Sequence, residues 1–293
     1  MIRPSRVVRV TVILAAALTT SGGCGVPYVA PSPEPAAGHT WNQTHRVDPP
    51  SGWTVTGRNV GPTDESTSLA GPGSTGCLVQ VWSTRPQRQL RPRWPDRVQV
   101  QGQKGDYGDL DPDYGPYPRA VVWRAGDDRW IGVSCDLDRS GLLEIAERVR
   151  SEVAPMLVPF RLTSPPDGVS MVQLIESRDG DVRTFAAQFE TAGASRPLVM
   201  QISDVRDRSV LQGPVQRQQI NGRTAEIRTA SQMICLRTRS TPICVSGPGD
   251  EPATDWALPD ARRIAQQTAE RLVPVDDPDD YSSWIDADTA FGG

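Results

Sequence analysis

Histidine is nearly missing from this chain: His39 and His45 are the two in 293 residues. Hydrolase triads and most zinc sites need an imidazole. Both histidines stand in or just after a proline-rich stretch, so neither a Ser-His-Asp site nor a His-Cys metal cluster has a frame in the body of the sequence. Lysine is scarcer still, Lys104 being the one lysine among 31 basic residues. A formal net charge of -4 gives no basic face for displacing phosphate counterions from nucleic acid, and there is no polybasic patch for anionic lipid heads. No Gly-rich phosphate loop joins a strand to a helix. The acidic residues cluster in loops without the paired-carboxylate frame of a glycosidase. These absences point to a non-enzymatic protein with no cofactor; an enzyme of unknown type is the alternative they leave.

Long apolar runs are also missing. The longest, Val10 to Leu18, follows Arg3, Arg6 and Arg9 and is too short to span a bilayer as a lasting helix. Its layout is that of an export signal over residues 1–23. Cys24 follows Ser21, Gly22 and Gly23, so the small residues of a lipoprotein signal are in place and its aliphatic position is not. An exported chain oxidises its thiols in pairs. One of five cysteines is then left over, and Cys24 is the natural remainder. Pro27, Pro31, Pro33 and Pro35 lie after it among small residues, a composition that behaves as a stiff spacer. Residues 24–44 are therefore expected to tether a lipidated Cys24, placing the protein at the outer face of the cell membrane or, if the cysteine is unmodified, in the medium.

The body of the chain repeats itself. Pro49-Pro50-Ser51-Gly52 recurs as Pro165-Pro166-Asp167-Gly168, and CLVQVW from Cys77 recurs as PLVMQI from Pro197. VQG ending at Gly102 recurs as ING ending at Gly222, Val133-Ser134 as Val245-Ser246, and IAERVRSEVAP from Ile145 as IAQQTAERLVP from Ile264. The matches keep their order at nearly constant offset, which predicts related units over 45–159 and 160–275. In each, alternating apolar and polar residues predict strands: Trp53 to Val60, Leu78 to Ser83, Arg97 to Gln101, then a hairpin of AVVW and WIGVSC; and Val169 to Ile175, Leu198 to Ser203, Val215 to Ile220, then a hairpin of MICL and ICVS. A helix closes each unit. Leu142, Ile145, Ala146, Val149 and Val153 share one face between a Ser140 cap and Pro155; Ala261, Ile264, Ala265, Thr268 and Leu272 share another between Pro259 and Pro274. The expectation is an α+β fold of two tandem related domains, each an antiparallel sheet covered by a C-terminal helix.

Cys235 and Cys244 flank the second hairpin and are expected to bridge its strands, and Cys77 is expected to close on Cys135 within the first unit. In the repeat alignment the second unit lacks counterparts of Cys77 and Cys135 together, as a disulfide gained or lost whole would predict. Four cysteines allow three connectivities, and bridges between the units are the alternative.

The strand ending in Asn221-Gly222-Arg223-x-Ala225, the hairpin after it, and a helix carrying Leu258 and then Ile264-Ala265 resemble small extracytoplasmic sensor or binding domains attached to actinobacterial-type anti-sigma factors and lipoproteins. The PPSGW opening at Pro49 to Trp53 resembles that of lipoproteins with a fold related to the photosystem protein PsbP. The resemblance implies a non-enzymatic envelope role and brings no catalytic residues with it.

One loop stands out. Residues 105–118, GDYGDLDPDYGPYP, lie where the first unit is longer than the second. Asp109, Asp111 and Asp113 alternate there like the oxygen-rich start of a calcium loop, although Tyr114 and Ala120 stand where an EF-type loop needs Gly and Glu. Tyr107, Tyr114 and Tyr117 combine apolar area with a polar tip and are candidates for contact with a glycan or an envelope protein. A calcium-dependent or glycan-binding module centred on this loop is the alternative to a plain binding or sensing lipoprotein. The last segment, 276–293, carries Asp276, Asp277, Asp279 and Asp280 and reads as a disordered acidic tail, with docking through Trp284 as the other reading.

Overall fold

The computed structural model describes residues 40–85, 96–110, 117–126, 129–165, 168–191, 199–206, 211–228, 232–246 and 259–291. All of them belong to one compact unit. The expected signal segment, Cys24 and the Pro-rich stretch through residue 39 lie outside the described residues. No helix among those described is long and apolar enough to cross a membrane.

The first half of the chain forms β1 (Arg46–Val47), β2 (Thr54–Val60), β3 (Asp64–Ala70), β4 (Gly76–Trp82), β5 (Asp96–Val100), β6 (Gln103–Asp109), β7 (Arg119–Arg124), β8 (Trp130–Cys135), helix α1 (Arg139–Glu147) and β9 (Val149–Arg150). The second forms β10 (Leu157–Val158), β11 (Phe160–Leu162), β12 (Val169–Asp179), β13 (Val182–Thr191), β14 (Val199–Asp204), β15 (Gln216–Ile220), β16 (Arg223–Arg228), β17 (Met233–Leu236), β18 (Ile243–Ser246), helix α2 (Pro259–Arg271), β19 (Leu272–Pro274), β20 (Ile285–Asp286) and the short helix α3 (Ala287–Phe291).

Fourteen strands join into one antiparallel sheet in the order β15-β16-β17-β18-β14-β13-β12-β2-β3-β4-β8-β7-β6-β5. Read outward from the central β12–β2 pair, both halves have the same strand order. The repetition extends to backbone detail. The β5–β6 hairpin turns through Gln101 (φ 51°) and Gly102 (φ 75°), and β15–β16 turns through Asn221 (φ 52°) and Gly222 (φ 74°), the two left-handed positions of a type I′ turn whose twist suits paired strands. The register of β2 against β3 shifts between Val55 and Gly57, and that of β12 against β13 between Met171 and Gln173. A bulge at Thr56 is thus matched by one at Val172.

Alternation along the strands divides the sheet into two sides. Val79, Val81, Val121, Trp123, Ile131 and Val133 face the first core, where Leu142, Ile145 and Ala146 of α1 meet them. Burying Leu142 or Ile145 fully is worth about 2–3 kcal/mol each. The second core gathers Leu174, Phe185, Phe189, Ile202, Ile234 and Leu236 with Ile264, Ala265 and Leu272. Helix α1 lies against β5, β7 and β8, and α2 against β17 and β18.

Four expectations need correction. Helix α1 starts from an Asp138 cap, whose carboxylate accepts the Gly141 N–H at 2.8 Å, while Ser140 Oγ donates to the same oxygen. It ends at Glu147 because Val149 pairs with Val47 across β9–β1, leaving Val153 64% exposed. Residues 105–109 are the end of strand β6 rather than loop: Gly105 lies against Trp123, and Asp106 is buried by Arg97 and Arg85. Residues 40–44 are folded and not tether, with Trp41, Asn42 and Gln43 all buried. The acidic tail is ordered through Phe291. Each carboxylate in it has a donor: Asp276 meets Arg223 at 2.9 Å, Asp277 the Ser240 hydroxyl at 2.5 Å, and Asp279 meets Arg206 at 2.7 Å. Trp284, 7% exposed, plugs the second core and donates its indole N–H to the Pro278 carbonyl at 2.9 Å.

Candidate functional site

Between the two apolar cores, on the same side of the sheet, runs a polar seam. The register aligns Phe185 of β13, Glu176 of β12, Arg58 of β2, Thr67 of β3 and Val79 of β4 in one row. Phe185 and Val79 belong to the cores; the three residues between them are polar or charged.

The segment before β1 lies across one end of this seam. Trp41, Gln43, His45 and Val47 are buried at every second position, as an extended segment laid over a sheet requires. His45 is 2% exposed; its Nδ1 lies 2.9 Å from Glu65 Oε2 and its Nε2 3.3 Å from the Thr67 hydroxyl. Glu65 also accepts the Thr44 N–H at 2.8 Å and the Thr44 hydroxyl at 2.7 Å. Arg129 donates to Thr44 Oγ1 and approaches Glu65 at 3.4 Å. Gln43 donates to Thr67 Oγ1 at 3.1 Å and to the Ser66 carbonyl at 2.8 Å. Burial alone would raise the Glu65 pKa, but the hydrogen bonds from His45 and Thr44 and the charge of His45 outweigh it, and the carboxyl is held below its ordinary range.

Thr67, His45 and Glu65 therefore form a hydroxyl–imidazole–carboxylate chain, the arrangement that activates a nucleophile in hydrolases. Here Thr67 is 1% exposed and its hydroxyl already accepts from Gln43. A nucleophile needs a substrate within bonding reach of its oxygen, and this one is sealed. The chain clamps the leading segment onto β3.

The other end of the seam is cationic. Glu176 is 2% exposed, with Arg178 Nε at 2.6 Å and Arg183 Nε at 4.0 Å. The Arg183 guanidinium lies 5.1 Å from the Tyr281 ring centroid, a favourable cation–π placement.

The residues singled out in the sequence are scattered. Asp111, Asp113 and Tyr114 lie outside the described residues. Asp109 ends β6, paired with Arg119. Tyr107 packs against the first core with Arg139 5.1 Å from its ring centroid. Tyr117 lies beside Gly76, where a Cβ would come within 2.4 Å of its hydroxyl; burial, and then the nearby Asp136, push its phenol pKa up. Tyr107 and Tyr117 are thus each engaged within the fold. Among the described residues no group of three or more His, Cys, Asp and Glu is placed to hold a metal ion. Cys77 bonds to Cys135 and Cys235 to Cys244. The seam residues His45, Glu65, Arg58 and Glu176 carry no sequence motif; the period-two spacing of Trp41, Gln43, His45 and Val47 is the one signal that places His45 in the fold.

The described structure is thus a β-dominated fold built on one large antiparallel sheet with few helices. No protein-family model matches the chain, and none of the curated proteins matches it. Among solved structures, it is similar to the crystal structure of MucB in complex with MucA(peri), at 10% identity over 76% of this chain and 93% of that one, with a TM-score of 0.21.

Proposed function

We propose that this protein is an exported lipoprotein anchored through Cys24 to the outer face of the cell membrane, where two related α+β units bind or sense a ligand or a partner. The reading is non-enzymatic and assigns no cofactor. Its location rests on the export layout of residues 1–23, the small residues before Cys24, and the pairing of the other four cysteines into two bridges, which leaves Cys24 as the odd thiol. The observation that supports binding over catalysis is the closure of the Thr67–His45–Glu65 chain: this arrangement, which has catalytic geometry, is spent among the described residues on fastening the leading segment.

The test is the intact mass of the protein recovered from the membrane fraction of its native host, with and without reduction. The expected mass is that of the chain from Cys24 with acyl groups added, rising by the mass of four hydrogen atoms when the two bridges are reduced. An unmodified chain recovered from the medium would overturn the anchor.

A further inference from the structure

Charge is out of balance at the centre of the sheet. On the core-facing side Glu176 stands opposite Arg58 on one neighbouring strand, and Arg178, two residues on, stands opposite Arg183 on the other. Arg178 and Arg183 both turn toward Glu176. The Arg58 side chain, half-buried, makes no hydrogen bond or ion pair within 4 Å with any described residue. Its guanidinium is pushed below the ordinary arginine range, first by burial and then, against the pull of Glu176, by Arg178, Arg183 and Arg46. The other charges of this region are engaged elsewhere. Arg46 meets Asp48 at 3.0 Å and Glu152 at 3.5 Å. Glu65 is taken by His45 and Thr44, and Asp204 by Arg206 at 3.0 Å and the Phe185 N–H at 2.6 Å.

Three guanidinia thus share one carboxylate, leaving two positive charges in surplus. Water is partly excluded there, and an unpaired charge is costly. Guanidinium forks match tetrahedral oxyanions with paired N–H donors, and a dianion would balance the surplus. We propose that Arg58, Arg178 and Arg183 form a receptor for a phosphoryl group, with Glu176 orienting two of the three arginines. Arg178 and Arg183 keep 26% and 30% of their side chains exposed, which leaves the site open from solvent. The site names a ligand chemistry for the binding role proposed above and is independent of the anchor, so a chain lacking acyl groups that still takes phosphate through Arg58 would separate the two.

The test is calorimetric titration of the purified full chain with inorganic phosphate and with glycerol phosphate, beside co-sedimentation with phosphatidylcholine vesicles with and without phosphatidic acid. The expected result is binding that weakens at least tenfold in Arg58→Gln, with the phosphate-free melting temperature unchanged or raised because an unpaired charge is gone. Arg183→Gln, at a more exposed position, should weaken binding as well and serves if Arg58→Gln does not fold. Binding confined to phosphatidic acid vesicles and lost in the variant would identify a lipid headgroup as the source of the phosphoryl group; binding of the soluble probes would identify a free phosphate ester. No binding of any of the three probes, or binding that neither variant reduces, overturns the proposal.

Discussion

The two halves of the sheet share strand order, hairpin turns and even a bulge, yet each secures itself differently. On the side away from the cores a single row of residues crosses the sheet in register, with Arg97, Asp106, Val122 and Gly132 at one end and Arg217, Glu226, Cys235 and Cys244 at the other. The outer ion pair is present in both. Next to it, the second half has its disulfide where the first has Val122 and Gly132, and there Trp82 lies so close over Gly132 that a Cβ would come within 2.6 Å of the indole. A covalent bond and an aromatic lid thus occupy equivalent places. The first half carries its own disulfide on the opposite side, within the apolar core and between β4 and β8. Topology is shared between the halves, and the fastening is not.

The largest expected difference comes from a part that one half lacks. Residues 276–291 close the second core, and Trp284 stacks edge-to-face on Tyr281 with ring centroids 5.2 Å apart; the described structure has no counterpart over the first core. Trp284→Ala should cost about 4 kcal/mol, as large aromatic truncations do, read as a shift in urea midpoint. A loss below about 1 kcal/mol would mean the segment is a loose tail after all.

The disulfides come next. Cys77–Cys135 spans a sequence separation of 58 and Cys235–Cys244 one of 9, for which loop-closure entropy gives about 4 and about 3 kcal/mol. Replacing Cys77 and Cys135 by alanine should therefore lower the denaturant midpoint more than replacing Cys235 and Cys244. The reverse order would show that the hairpin bridge does more than limit the unfolded chain.

What the sequence revealed follows the same division between shared frame and private detail. The recurrence of PPSG as PPDG and of VQG as ING, and the strands WIGVSC and ICVS, were legible because repeated motifs and period-two alternation can be read along the chain. Strand β6 was not: QKGDYGD has two glycines and no apolar alternation, and it is a strand because Trp123 and the Arg97–Asp106 pair hold it from outside. Nor was the true register of β4. Gln80 and Ser203 occupy equivalent places, so Cys77 corresponds to Met200 rather than Pro197, and Cys77 and Met200 are core residues of their halves. Composition misread the tail because it counts aspartates and cannot see that Asp276, Asp277 and Asp279 meet Arg223, Ser240 and Arg206 from distant parts of the chain. The seam was invisible for a similar reason: Arg58 and Glu176 are far apart in the chain and meet only through the pairing of β2 with β12, while His45 joins them only because the leading segment lies over Glu65 and Thr67 of β3.

The smallest predicted effect sets one buried carboxylate of each half against the other under acid. Glu65 in the first half has its folded pKa below the unfolded value, because hydrogen bonds from His45 and Thr44 and the charge of His45 overcome its burial. Its contribution to stability is fully present above the unfolded value near 4.5 and is lost as pH falls through the folded one. Asp204 in the second half has its folded pKa raised, burial outweighing the Phe185 N–H and Arg206. Its ionised form is disfavoured by folding, so protonation as pH falls through the raised value relieves a penalty that is gone below the unfolded value near 3.8. The two slopes have opposite signs, that of Glu65 acting below its unfolded value of 4.5 and that of Asp204 above its unfolded value of 3.8. Glu65→Gln should make the loss of stability below pH 4.5 shallower than in the parent, measured as urea midpoints at successive pH values. If Glu65→Gln loses stability on acidification as steeply as the parent, the acid-sensitive group lies outside the His45 clamp.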